Sequence, residues 1–348
     1  MSNKSETINL KPEVHNHLLD PRLSKRIITG AVGLAALIAG VIGSIMIGAV
    51  DISIADIARV LSGDKEGANY YIIWDIRLPR IIVGAMVGMN LAIAGAILQC
   101  VLRNPLADPG IIGVTAGAGL AAMVVMILLP AYAALVPISA FVGALMASML
   151  VYFISWKRGI NPLRLILAGV ALAAFFGAGI SSLMVFYSDR VQGTINWMVG
   201  GFLGRSWGHV EMVLPYTIIG IIVAFMGFKH LNILMLGDEI ATGLGMRVER
   251  VRLGFIVIAA FLAASAVSVA GLLGFVGLII PHAVRLVVGS DHKFLLPFSA
   301  LFGAVLIIFA DTTARTIFSP VEIPVGVFMA FLGAPFFIYL LRVGMKRV

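Results

Sequence analysis

Eight stretches of this chain run without a single Asp, Glu, Lys or Arg: residues 27–50, 81–102, 110–156, 165–188, 212–228, 253–284, 294–310 and 323–341. A helix needs about 20 mostly apolar residues to cross a bilayer, so each stretch is close to or beyond the length of one crossing. Two are too long for one. Residues 110–156 contain Pro130 beside Ala131, where the chain can turn, and read as two helices. Residues 253–284 carry Gly271, Gly274, Gly277 and Pro281, which weaken a continuous helix. The chain therefore reads as an all-α polytopic membrane protein with about ten transmembrane helices. With 60% hydrophobic and 12% charged residues, and a mean hydropathy of +1.05, a water-soluble fold is excluded.

Basic residues test the count, because Lys and Arg are retained on the cytoplasmic side. With ten spans and both termini inside, 18 of the 25 basic residues fall in cytoplasmic segments. A nine-span chain would send Arg342, Lys346 and Arg347 outside. Residues 1–26 are then a polar cytoplasmic tail, 27–342 a single transmembrane domain and 343–348 a short cytoplasmic tail. Trp74, Trp156, Trp197 and Trp207 lie at or just beyond the expected span ends, where amphipathic rings suit the headgroup layer. The net charge of +8 is mostly this retention signal and argues little for nucleic acid. The one cysteine, Cys100, lies in an apolar stretch and reads as packing.

No phosphate-binding loop of the GxxxxGK[ST] form, no HExxH and no CxxC occurs, so the chain has no P-loop with which to hydrolyse ATP and no recognisable metal motif. Ser181, Ser182, His282 and Asp311 lie in or near spans and could in principle form an intramembrane protease triad. Helical serines more commonly back-bond to a carbonyl, and His282 and Asp311 belong to opposite ends of their spans.

Three polar features carry information. The longest outside loop, 51–76, ends in Arg77-Leu78-Pro79-Arg80; Asp75 suits the cap of the next helix, and Arg77 and Arg80 at i and i+3 share a face pointing out of the membrane. They could also merely snorkel to headgroups. A third outer arginine, Arg315, follows Asp311 by four residues, a spacing at which the two can pair along one helix face. On the inner side, Arg103-Asn104-Pro105-Leu106-Ala107-Asp108-Pro109 forms a tight two-proline turn. The largest inner loop, 229–252, contains Leu236-Gly237-Asp238-Glu239-Ile240-Ala241-Thr242-Gly243-Leu244-Gly245; its acids suit the start of a short helix and its glycines the end. Such a piece offers a small apolar knob to a cytoplasmic partner. Gly84-x3-Gly88, Gly95, Gly113-x3-Gly117 and the Gly271 series let helix backbones approach closely.

Together these residues resemble the permease subunits of binding-protein-dependent ABC importers for iron-siderophore, haem and cobalamin. The similarity rests on Arg77-Leu78-Pro79-Arg80, Gly95-Ala96-Ile97-Leu98-Gln99, the Arg103–Pro109 turn, Leu167-Ala168-Gly169-Val170 and Trp197-Met198-Val199-Gly200-Gly201. It continues in Leu236-Gly237, Gly274-Phe275-Val276-Gly277-Leu278-Ile279-Ile280-Pro281-His282, Glu322-Ile323-Pro324-Val325-Gly326 and Gly333-Ala334-Pro335. The resemblance implies a type II importer bundle of ten spans and a second permease subunit, identical or homologous. It also implies two ATPase subunits inside that use the ATP, an extracytoplasmic substrate-binding protein outside, and no cofactor or metal held by this chain. Arg77, Arg80 and Arg315 match arginines that dock acidic residues of the binding protein. Leu236, Asp238, Glu239, Ala241, Leu244 and Gly245 match the segment that couples to the ATPase, and Asn104, Pro105 and Leu106 the inner gate. Iron(III)-siderophore is the common cargo of the family, with haem and cobalamin as alternatives. A gradient-driven secondary transporter is the rival reading, but it would be expected to show ion-binding groups at the midplane.

Overall fold

A computed structural model describes residues 21–65, 67–157, 159 and 161–344. Residues 1–20 of the expected N-terminal tail, and 345–348 of the C-terminal one, lie outside the described residues. The first helix begins at Pro21, so the last residues of the expected tail are already helical.

Ten apolar helices form the bundle: α1 (Pro21–Met46), α2 (Leu78–Val101), α3 (Val114–Leu128), α4 (Val136–Ser155), α5 (Pro162–Phe186), α6 (Trp207–Met226), α7 (Val248–Ala270), α8 (Val276–Val288), α9 (His292–Thr316) and α10 (Val325–Gly344). Eight are long and apolar enough to cross a membrane, while Val114–Leu128 and Val276–Val288 are shorter. The turn at Pro130 separates α3 from α4, and the glycine-rich stretch separates α7 from α8, as the sequence predicts. The second break is confined to Gly271–Phe275, where Gly271 (φ 71°) and Phe275 (φ 69°) take left-handed backbone; Gly277 and Pro281 lie inside α8.

At 13 residues, α8 is about 20 Å long, short of the roughly 30 Å hydrocarbon core. The irregular backbone beside it is covered by protein, as a lipid environment demands. The short helix Ile195–Val199 and the residues after it lie against the break: Gly201 N donates to Ala270 O at 2.8 Å, and a Cβ on Gly200 would stand 2.3 Å from Leu272 O. Trp197 is correspondingly buried in this contact instead of facing the headgroups.

At the centre stands α2, nearly every residue of which is buried. Two glycines permit this. A Cβ on Gly88 would lie 2.1 Å from Gly303 O of α9, and one on Gly95 1.9 Å from Gly277 O of α8, so neither position has room for a side chain. The same device joins α3 to α4 through Gly117 and Gly143. Midway along α2, the buried Asn90 donates to Thr217 Oγ1 of α6 at 2.8 Å and to Ser265 Oγ of α7 at 3.0 Å, tying three helices by side chains that have no water to turn to.

The segment before α2 is largely helical. Ile54–Leu61 is a short helix closed by a Ser53–Asp56 capping box, and Ala68–Tyr71 runs through a π-helical stretch, Ile72–Arg77, straight into α2. Asp75 therefore lies inside a helix and caps nothing. Proline explains part of this geometry: in the i+5 pattern the carbonyl of Trp74 would bond the nitrogen of residue 79, and Pro79 has no N–H. The indole Nε1 of Trp207 donates to that carbonyl instead, at 2.9 Å.

Candidate functional site

Two places on the bundle concentrate charge or exposed apolar side chains, and they lie at opposite ends of α2. At its N-terminal end, the π-helical stretch turns Arg77 and Arg80 into the protein. Arg77, Arg80 and Arg315 are only 4%, 8% and 8% exposed, so none projects from the surface as the i, i+3 spacing suggested. The Arg80 guanidinium forms a fork on Asp311 (Nε–Oδ2 2.8 Å, Nη2–Oδ1 2.9 Å) and reaches Glu322 Oε2 at 2.9 Å. Asp311 is thus paired with Arg80 and not, as its position suggested, with Arg315. Arg315 donates to the carbonyl and hydroxyl of Ser44, and Arg77 to the carbonyls of Ile45 and Val50. Bonds to backbone carbonyls satisfy a guanidinium without neutralising it, so Arg77 and Arg315 keep their charge available.

These groups border a cavity of about 360 Å³ lined by Arg77, Arg80, Arg205, Arg315, Asp75 and Glu322 among others. Arg205 has no ion-pair partner among the described residues; its Nη1 lies 3.3 Å from His209 Nε2, and burial pulls its pKa below the usual guanidinium value. Four arginines line the cavity against two carboxylates, Asp75 and Glu322, so it is cationic. Sequence reasoning quoted Glu322 only within a motif and did not consider Arg205. The nearest available signal was the apolar run around Arg205, in which an arginine needs a reason to be.

At the other end of α2, the helix Phe228–Met235 leads into the six-residue helix Asp238–Gly243. Leu236, Ile240 and Leu244, at successive spacings of four, are 55%, 54% and 64% exposed. Ala241 is fully buried and seats the short helix on the bundle. Asp238 stays half-exposed but is tied to the bundle: it accepts from Arg103 and, at 2.8 Å through Oδ1, from Arg252 Nη2. Glu239 and Gly245 remain exposed, and Gly245 supplies the left-handed turn (φ 80°) that ends the segment. Ile240, which completes the apolar stripe, was readable from its spacing but was not singled out.

The Arg103–Asp108 turn lies beside this helix. Asn104 Oδ1 accepts from Leu106 N at 2.9 Å and Asp108 Oδ1 from Gly110 N at 2.9 Å, two local bonds that fix the turn. Burial pushes the Asp108 carboxyl up to about 6, against the opposing effect of the Gly110 bond. Pro105 is exposed and Leu106 half-buried. Three of the four triad candidates are engaged elsewhere: Asp311 with Arg80, Ser182 Oγ with Ala178 O at 2.8 Å, and the His282 ring edge-on to Phe336. A third feature is an apolar hollow of about 650 Å³ on the exposed side of α10, lined by Val199, Leu272, Phe275, Gly326, Phe331 and Pro335 among others.

A ten-helix apolar bundle with a charged cavity at one end and an exposed apolar knob at the other defines a multi-span membrane transport subunit. Residues 36–343 match the FecCD transport family, and the chain belongs to it. It is 39% identical over 331 residues, 94% of this chain and 98% of the relative, to the Fe(3+)-citrate import system permease protein YfmD of Bacillus subtilis (strain 168). It is also 45% identical over 293 residues, 84% of this chain and 78% of the relative, to the cobalamin import system permease protein BtuC of Halobacterium salinarum. A solved metal-chelate type ABC transporter in an inward-facing conformation superposes with a TM-score of 0.80 at 30% identity, covering 91% of this chain and 99% of that one. The chain is accordingly an ABC importer permease, and the relatives it matches are import permeases for ferric citrate, cobalamin and hemin.

Proposed function

We propose that this chain carries an iron(III)-siderophore-type chelate across the cytoplasmic membrane by alternating access, as one of two permease subunits. Its termini are cytoplasmic, ATP is hydrolysed on two separate ATPase subunits, and an extracytoplasmic binding protein delivers the cargo. The observation that carries this reading is the Leu236–Ile240–Leu244 stripe, three large apolar side chains left exposed on a charged, terminus-side loop. Exposed apolar knobs outside a bilayer call for a protein partner. The knob fits a groove on an ATPase, and its movement switches the face to which the paired permeases open. Asn104, Pro105 and Leu106 form the inner gate.

At the opposite end, an acidic side chain of the binding protein would enter the cationic cavity and meet Arg77 and Arg315 beside the Arg80–Glu322 pair. Charge complementarity there sets on-rate and register more than affinity. The chain holds no cofactor in this mechanism, and breaks no covalent bond. The apolar hollow along α10 suits a large chelate that is selected outside and merely accommodated inside. Cobalamin import by the same machinery is the second reading, favoured by the 45% identity to a cobalamin permease.

Uptake of radio-iron as ferric citrate or a ferric hydroxamate tests the reading in cells lacking this chain, complemented with it, with labelled cobalamin in parallel. Iron uptake lost on ATP depletion and retained when the proton gradient is collapsed is the expected result. Uptake that follows the gradient instead would refute ATP-driven import, and cobalamin uptake alone would replace the cargo.

A further inference from the structure

Two pieces of the terminus end, the Arg103–Asp108 turn and the helix Asp238–Gly243, share one carboxylate. Asp238, in the first turn of the short helix, is held by Arg103 on one side and Arg252 on the other. Arg252 is 3% exposed and fixed within α7 by Glu249 Oε1 at 3.0 Å. Together with buried Ala241, this seats the short helix firmly on α7. Arg103 is therefore not needed to hold the helix in place.

Arg103 is also the residue that ends α2: its N–H bonds Cys100 O at 3.1 Å and the N–H of Asn104 bonds Gln99 O at 3.1 Å, closing the helix through a left-handed residue. Its φ of 47° lies in the left-handed region, shared among the described non-glycine residues only with Phe275. The side chain bonds Asp238 and also Leu234 O at 3.4 Å, and one turn earlier Cys100 Sγ meets Leu231 O at 3.3 Å. The end of α2 is thus bonded to three successive points of the 231–238 segment. Asn104 follows directly, and its side chain caps Leu106 N, so the direction in which Leu106 leaves is set by the backbone at Arg103. The turn that ends α2 and the side chain that reaches the short helix thus belong to one residue, which joins the two pieces covalently on one side and by an ion pair on the other.

We propose that Arg103 is a positioning residue that ties the Leu106 turn to the helix Asp238–Gly243, so that displacement of that helix reorients Leu106. The assignment of that helix to coupling and of Leu106 to the gate rests on the function proposed above; the tie itself lies within one chain. A pair whose side chains are 42% and 49% exposed contributes modestly to stability, so a purely structural role would leave position 106 almost unmoved.

The test uses the full-length chain in lipid nanodiscs with Cys100→Ser, which removes the one native thiol, and Leu106→Cys as a reporter of fluorescein-maleimide labelling rate. Asp238→Asn is expected to change that rate by about threefold to tenfold, the size of a lost half-exposed, charge-assisted pair. Arg103→Gly, which accepts the left-handed backbone, should give the same change, and the double variant no more than either alone. Arg103→Lys, which keeps a cation opposite Asp238, should keep the parent rate to within about twofold. Rates that add in the double variant, or a reporter indifferent to Arg103 and Asp238, would overturn the proposal. If Arg103→Gly is not monodisperse, Arg103→Gln carries the same comparison. No nucleotide or partner takes part, so a negative result leaves ATP-driven import standing, whereas gradient-driven uptake would refute import without touching these rates.

Discussion

Single side chains in this bundle are held by partners whose loss has calculable consequences. Arg80 and Asp311 form a fork in a nearly water-free site, and removing one member of such a pair leaves the other buried and uncompensated. Arg80→Ala is expected to destabilise the chain by about 3–5 kcal/mol, read as a large drop in the thermal midpoint of detergent-solubilised protein. Arg80→Leu combined with Asp311→Leu should be milder than either single change, because the one carboxylate then left without Arg80, Glu322, has a side chain 38% exposed to water. Asp108 makes a prediction in pH. Its carboxyl is raised from 3.8 to about 6 by burial, so between those values the folded chain binds more protons than the unfolded one. Stability therefore falls as pH rises through that window, and stays lowered above it. Asp108→Asn, which keeps an oxygen for the Gly110 N–H, should flatten the decline and raise the thermal midpoint at pH 7. The residue types at both sites were legible in the sequence, but their partners were not. The i, i+4 spacing made Arg315 the obvious mate of Asp311; the actual mate lies 231 residues away on another helix, a choice made by packing that local spacing cannot reveal.

At the scale of elements, the positions of the ten helices followed from runs of apolar residues and from the prolines and glycines between them, which act locally. Two features did not follow. The π-helical entry to α2 depends on Pro79 lacking an N–H and on Trp207, far along the chain, supplying the substitute donor. The shortness of α8 depends on the 197–201 segment covering a break that would be untenable in lipid. The glycine-rich positions were legible as close contacts, and they differ in consequence. Gly95→Ala would press a methyl group to 1.9 Å from Gly277 O and should destabilise by about 1–3 kcal/mol or more, as overpacking does. Gly84→Ala meets Ile307 Cγ2 at 3.4 Å and the Phe202 ring at 3.7 Å, ordinary contact distances, and should stay within about 0.5 kcal/mol of the parent. Comparing the two thermal midpoints separates tight helix contact from glycine content as such.

For the whole molecule, the separation of its two sites makes each testable without the other. Leu244→Asp changes a side chain that is 64% exposed, so folding stability should move by no more than about 0.5 kcal/mol. Co-purification of an ATPase subunit should nevertheless be lost, while a charge change at Arg77 should spare it. The helices are not equally held. α1, α5 and α10 bury few of their residues, whereas α2 is enclosed along nearly its whole length. Gly88 pins α2 to α9, Gly95 pins it to α8, and Asn90 binds it to α6 and α7. A helix seated backbone to backbone on two neighbours cannot roll or slide without forcing atoms through one another. α2 is then an axle rather than a lever: the two ends of the molecule keep a fixed distance through it, and any change of shape has to be made by the outer helices swinging about a stationary middle.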